Sequence, residues 1–373
     1  MTSYQNVLDH AVAAGDVPFA LALAGTSNGV TWMGSNGVAQ DALFRAFSMT
    51  KGIGSLAAMI LVERGTLELD KHVEAYMPEF AKLKVLDGFD SDTPLLRAPA
   101  TKATVRHLLT HQSGLEYEHW NTDIAKYRKL TGQPRIGSGL REGLNYPLAF
   151  DPGTRWGYGI GIDWLGQVIE AVDGRPIDRF CREEILLPLG MSNTVFDLIP
   201  DIAPRLAPMK ARGANGFEDS PLSPPIDPEF YGMGQCLFTT GTDYMRFLRM
   251  ILRGGELDGA TILGRDTLAM MLTPQTGLLP KGLLRTANPR GSADFDPFPD
   301  APLTHSLGFM RVQDDIPGMR HAGSQGWAGF ANTHYWFDPC NDVAGIFMTQ
   351  LIPFADPGAM AAYQAFEKAV YAQ

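Results

Sequence analysis

The chain has 373 residues, 45% of them hydrophobic and 19% charged, with a formal net charge of −10. That balance describes a globular protein with a sizeable core. An acidic chain with no Lys/Arg run argues against a nucleic-acid partner or an anionic membrane surface, and no apolar stretch approaches transmembrane length.

The first residues, MTSYQNVLDHAVAAG, lack the layout of a signal peptide. They read instead as a capped amphipathic helix, with Tyr4, Val7, Leu8 and Ala11 on one face and Gly15 at its end. Cys181, Cys236 and Cys340 are scattered and form no C-x-x-C, so a cytoplasmic protein with structural thiols is expected. Next come two strands, around 18–25 and 30–34, joined at Asn28-Gly29, a strong two-residue hairpin signal. The same stretch, GTSNG, matches the G-x-S-x-G nucleophile elbow at Ser27. An elbow needs a helix after the serine; here an alternating run comes next, so Ser27 reads as a turn residue.

From about Ser48 to Arg64 the sequence predicts a helix dense enough in Leu, Ile, Met and Ala to be buried on most sides, stopped by Gly65. Ser48 opens it and Lys51 follows three residues later, on the same face, where an amine can reach the hydroxyl. A serine needs such a base to become a nucleophile. The helix N-terminus would add a positive field and free N–H groups, with the Ser48 N–H as one arm of an oxyanion hole. Ser48 is the only serine with Lys at +3, and its helix is too apolar for the surface.

Helical periods dominate from about Val73 to Leu198. His107 and His111 in HLLTH have the spacing of a zinc pair, but the general-base Glu and a third ligand are missing. The Met-rich run from Met245 to Leu257 reads as core. Residues 275–303 are rich in Pro, Gly and Asp and predict a long irregular loop with a functional role. Phe330 to Phe337 and Val343 to Met348 read as strands around the turn Asp338-Pro339-Cys340-Asn341. A closing helix carries Met360, Tyr363, Phe366 and Val370 on one stripe.

The expected fold is therefore α+β: an antiparallel sheet flanked by terminal helices, with a mainly helical region inserted. The expected division is an α/β unit from 1–75 and 215–373 and a helical unit from 76–214. No phosphate loop is present, and neither cofactor nor metal is expected.

The stretch FSMTKGIGSLAAMILVERGTLELDKHVEAYMPEF resembles the active-site region of the serine β-lactamase and penicillin-binding-protein superfamily. More narrowly, it is similar to the class C β-lactamase-like esterases, the family VIII carboxylesterases. TVRHLLTHQSGL, LAFDPGTRWGYGIGIDWLGQVIE, LLPLGMSNTVF and WAGFANTHYWFDP have counterparts in the same order. The resemblance implies Ser48, Lys51 and Tyr158 (from WGYGIGID) as the catalytic set. It places Ile160 where β-lactamases carry the Asn of Y-x-N, and Trp327-Ala328-Gly329 in place of K-T-G. The Phe330 N–H would be the second oxyanion donor, with Trp327, Gly329 and Ile160 toward substrate. His321-Ala322-Gly323 is the other placement of that third motif.

The resemblance thus implies a serine hydrolase acting on small, neutral, apolar esters through an acyl-enzyme, since no cation replaces the missing Lys to hold a carboxylate. The rival readings are acyl transfer to an alcohol, β-lactam or amide hydrolysis, and a non-catalytic binding protein of the same fold.

Overall fold

The computed structural model describes residues 3–372. Its centre is a seven-stranded antiparallel sheet whose spatial order runs Leu303–His305, Met310–Val312, Gln325–Gly329, Thr333–Asp338, Val343–Met348, Ala20–Thr26, Gly29–Asn36. The first hairpin thus joins the C-terminal strands through pairing of Ala20–Thr26 with Val343–Met348. Ser27 lies in its turn. Its N–H and hydroxyl donate to the Asp342 carboxylate at 2.8 and 2.9 Å, so its hydroxyl serves to hold the turn.

Alternation along the strands assigns two faces. Ala20, Ala22, Ala24, Trp336 and Phe347 pack against the helices Tyr4–Ala13 and Pro357–Tyr371 through Val7, Leu8, Ala11, Ala359, Ala362, Tyr363 and Phe366. The small alanines leave room for the helices, and Gly345 leaves room for the Trp336 ring directly across the register. Ser3 caps the first helix by accepting from the Asn6 N–H, and Asp356 caps the last. Each fully buried large side chain here contributes about 1.5–3 kcal/mol.

Leu21, Leu23, Tyr335, Phe337, Ile346 and Met348 face the larger core, which contains the helices Thr50–Glu63 and Gly241–Leu252. The Thr50–Glu63 helix is buried from Thr50 through Leu61 and packs on the helix Gly161–Asp173. Among the described residues no helix is long and apolar enough to cross a membrane.

Two expectations change. The middle region contains, besides its helices, the hairpin Val85–Asp90 with Thr93–Arg97, whose mixed polar pattern concealed it. And the strand expected from Phe330 begins only at Thr333, because Trp327-Ala328-Gly329 ends a separate strand, Gln325–Gly329. A turn at Phe330–Asn332, with Asn332 at φ +58°, separates it from Thr333–Asp338. The region 275–303 is largely irregular as expected, and Leu284 from it reaches the cavity in front of Ser48.

Candidate active site

The helix expected to begin at Ser48 begins at Thr50; Ser48 sits in a 3₁₀ turn, Phe47–Met49, just ahead of it. Phe47 causes the break, because it adopts φ +44°, a left-handed conformation that costs a bulky residue about 1–3 kcal/mol. The turn is held from three sides. The Ala46 N–H donates to Leu237 O at 2.8 Å, the Met49 N–H to Ala46 O at 3.0 Å, and the Tyr244 hydroxyl to Met49 O at 2.9 Å. Ser48 is thereby presented half-exposed, while Lys51, one turn on, is 2% exposed.

Lys51 Nζ is within hydrogen-bond distance of three oxygens: Ser48 Oγ at 3.0 Å, the Tyr117 hydroxyl at 3.0 Å and the Gly234 carbonyl at 2.9 Å. Tyr158 stands beside it, its ring centroid 4.9 Å from Nζ. The Tyr158 oxygen accepts from the Trp327 indole N–H at 3.0 Å, and the two rings are 4.9 Å apart. Trp327 therefore sits against the Ser/Lys/Tyr cluster. His321 lies elsewhere, against Asp338 and Tyr371. Phe330 lines the same cavity as Ser48, with Phe47 5.9 Å away ring to ring.

Two expected substrate contacts are placed differently. Ile160 is fully buried at the N-cap of the helix Gly161–Asp173, because the short turn after Tyr158 carries it into the core. Gly329 is buried too, with the Ala46 carbonyl and Thr333 side chain where a Cβ would be. Neither lines the cavity, so Gly329 acts through close approach of two backbones.

Sequence reasoning missed Tyr117. It follows HQSGLE in a loop, and its chemistry is invisible until the fold brings it to Lys51. Its backbone N–H donates to Tyr158 O at 3.1 Å, tying the two tyrosine segments together. Burial, then the nearby Asp163 carboxyl, pushes the Tyr117 phenol well above its usual range. The two histidines have separate structural tasks. His107 accepts from the Thr104 N–H in a capping box at 3.3 Å. His111, at φ +57°, packs edge-on against Tyr158 with ring centroids 4.8 Å apart, and burial holds its imidazole well below the usual value, hence neutral.

The cluster opens into a cavity of about 500 Å³ walled by Phe47, Trp120, Ile136, Leu284, Phe330 and Phe354. Contrary to the expectation drawn from the missing lysine, a cation does face it. Arg45, 8% exposed, lines this cavity and an adjoining one. Its guanidinium lies 4.3 Å from the Phe47 ring centroid and 3.5 Å from Leu222 O, and among the described residues no carboxylate pairs with it. Burial alone pulls it down to about 10, so it remains charged. Glu118, also on the wall, is shared by Arg128 at 3.6 Å and Arg135 at 3.9 Å.

A serine polarised by a buried lysine, two phenols at hand and an apolar cavity in front define a serine enzyme of the β-lactamase fold. The chain belongs to that family: the model described as Beta-lactamase matches residues 5–369. Similar proteins include a lovastatin esterase of Penicillium rubens, 30% identical over 86% of this chain and 82% of its own length. A monacolin J acid methylbutanoyltransferase of Aspergillus terreus is 31% identical over 89% and 83%. Among solved structures, a simvastatin synthase variant from Aspergillus terreus superposes with a TM-score of 0.87 at 28% identity, covering 99% of this chain and 94% of that one. The fold is shared by EstCE1, a hydrolase with promiscuous acyltransferase activity, at a TM-score of 0.77 and 20% identity, covering 98% and 97%.

Proposed function

We propose that the protein is a carboxylesterase of the family VIII type that transfers the acyl group of a small-molecule ester onto Ser48 and then to water. The carrying observation is Lys51 Nζ at 3.0 Å from Ser48 Oγ at the floor of an apolar cavity. Ser48 Oγ attacks the ester carbonyl carbon while its proton passes to the Tyr158 oxygen, acting as a phenolate whose ring stands beside the Lys51 cation and which accepts the Trp327 N–H. The N–H groups of Ser48 and Phe330 hold the oxyanion. Collapse breaks the bond to the leaving alcohol, which takes the proton from Tyr158. Water then attacks the acyl-enzyme by the same path in reverse, releasing the acid and free Ser48.

The test is intact-mass analysis of protein quenched during turnover of 4-nitrophenyl butyrate. A butyryl adduct on Ser48, absent in Ser48→Ala, is expected. An adduct on another residue, or no nitrophenol release above the blank, refutes the assignment.

A second reading, acyl transfer to an alcohol, is supported by the relatives, several of which are named as acyltransferases. Two of them are named for acceptors that are acids, monacolin J acid and ML-236A carboxylate. The Arg45 guanidinium on the cavity wall, with no carboxylate partner among the described residues, offers such an anion a partner, so this reading adds a carboxylate-bearing ester or alcohol to the neutral esters expected from sequence. Arg45→Met should lower the kcat/KM ratio of 3-acetoxybenzoate to phenyl acetate about tenfold or more. An unchanged ratio rejects the anion subsite. The butyrate-to-methyl-butyrate product ratio with added methanol separates hydrolysis from transfer.

A further inference from the structure

One ionisable side chain at this site is used by neither reading. Asp163, in the first turn of the helix Gly161–Asp173, is 0% exposed and is joined to Lys51 through the backbone of Gly234. Its Oδ1 accepts the Gly234 N–H at 3.1 Å, and the carbonyl of the same residue accepts from Lys51 Nζ at 2.9 Å. Gly234 therefore relays between the carboxyl group and the amine. A Cβ at either Gly232 or Gly234 would collide with the carboxylate oxygens, so the Gly-Met-Gly turn is shaped around Asp163. Among the described residues its Oδ2 has no hydrogen-bond partner.

The surroundings of Lys51 ask for such a group. Nζ meets three oxygens, and the Gly234 carbonyl can only accept. An ammonium donates to all three, whereas a neutral amine would donate to two and accept from one of the hydroxyls. An ammonium buried among Tyr117, Tyr158 and His111 requires a counter-charge. The other acids nearby are committed. Glu116 pairs with Arg155 at 2.5 Å, and Glu118 with Arg128 and Arg135. Asp163 has no ion pair of its own among the described residues.

We propose that Asp163 is a positioning residue for the reaction, the counter-charge that holds Lys51 as an ammonium in the resting enzyme through the Gly234 peptide. The proposal rests on Ser48 and Lys51 being the catalytic pair. The groups facing Asp163 are Lys51 from the helix Thr50–Glu63, Tyr117 from the loop after Gly114, and Cys236 from the turn after Gly234. Of these only Lys51 brings a positive charge. Burial pushes the Asp163 carboxyl up to about 6, with Lys51 and the Gly234 N–H opposing, so the counter-charge is present at neutral pH and withdrawn in mild acid. With Lys51 kept positive it stabilises a tyrosine phenolate, which takes the Ser48 proton as the negative charge moves to the substrate's carbonyl oxygen.

The experiment is the pH–rate profile of Asp163→Asn against the wild type with 4-nitrophenyl butyrate. Without its counter-charge Lys51 loses its proton more readily, so the alkaline limb should move to lower pH by about one unit. kcat should fall about tenfold or more while KM changes less. An alkaline limb coincident with that of the wild type overturns the proposal, because a packing defect lowers the rate without moving the limb. If the variant does not fold, wild-type protein carrying ¹³C-labelled lysine and aspartate decides. The Lys51 Cε resonance, assigned with Lys51→Arg, should show the ammonium form at neutral pH and shift in step with the Asp163 carboxyl carbon. A neutral amine, or no coupled step, overturns the proposal. That arm needs no turnover, so failure of the esterase reading remains distinguishable from failure of this one.

Discussion

Replacing Asp163 by Asn probes the energetics of the site as well as its chemistry. The Asp163 carboxyl is raised from 3.8 to about 6, chiefly by burial. The folded protein thus binds this proton more tightly than the unfolded chain does. The group's stabilising contribution is full below the unfolded value and is lost as pH rises through about 6. A difference of about two units at 1.36 kcal/mol each amounts to roughly 3 kcal/mol of stability lost on ionisation. Asn has nearly the same shape and never ionises. Its variant should therefore match the wild type most closely in acid and gain on it by roughly 3 kcal/mol as pH rises from about 4 to 7. Urea unfolding of the two proteins at paired pH values, followed by circular dichroism, measures that difference. Groups that do not interact with Asp163 cancel in the comparison, and Lys51 stays charged in both proteins over this range. A stability difference that stays flat with pH would refute the reasoning, since it would mean that Asp163 ionises in the fold as readily as in the unfolded chain.

Three further outcomes are expected. Ser48→Ala should abolish ester turnover while Ser27→Ala leaves it near wild type, because the Ser27 hydroxyl is spent on Asp342; loss of activity in a folded Ser27→Ala protein would reverse the assignment. Lys51→Met and Tyr158→Phe should each lower kcat by several orders of magnitude and the double variant scarcely further, since residues acting as a unit are non-additive; steady-state rates showing multiplicative losses would break the unit. Gly345→Ala should destabilise the protein by about 1–3 kcal/mol, because the new methyl group meets the Trp336 ring across the sheet; thermal melts at wild-type Tm would show that the sheet yields there.

Much of this protein is written in local pattern. The first hairpin, though its turn falls at Ser27-Asn28 and not at the expected Asn28-Gly29, the capped first helix, the buried helix after Ser48 and the Ser48/Lys51 spacing depend on neighbours within a turn or a strand, and such interactions are legible in a few consecutive residues. The tertiary structure decided whatever depended on residues far apart in the chain. The turn that presents Ser48 depends on Phe47 taking a left-handed conformation, which Leu237 and Tyr244 stabilise from distant segments. Tyr117, Gly234 and Asp163 reach Lys51 from three separate elements, so no spacing announces them. Ile160 matched a motif position yet turned into the core, because the backbone between Tyr158 and the following helix sets its direction. Arg45, three residues before Ser48, puts a cation on the cavity wall that the missing lysine did not lead one to expect, since whether an arginine meets a carboxylate is settled only by what the fold places beside it.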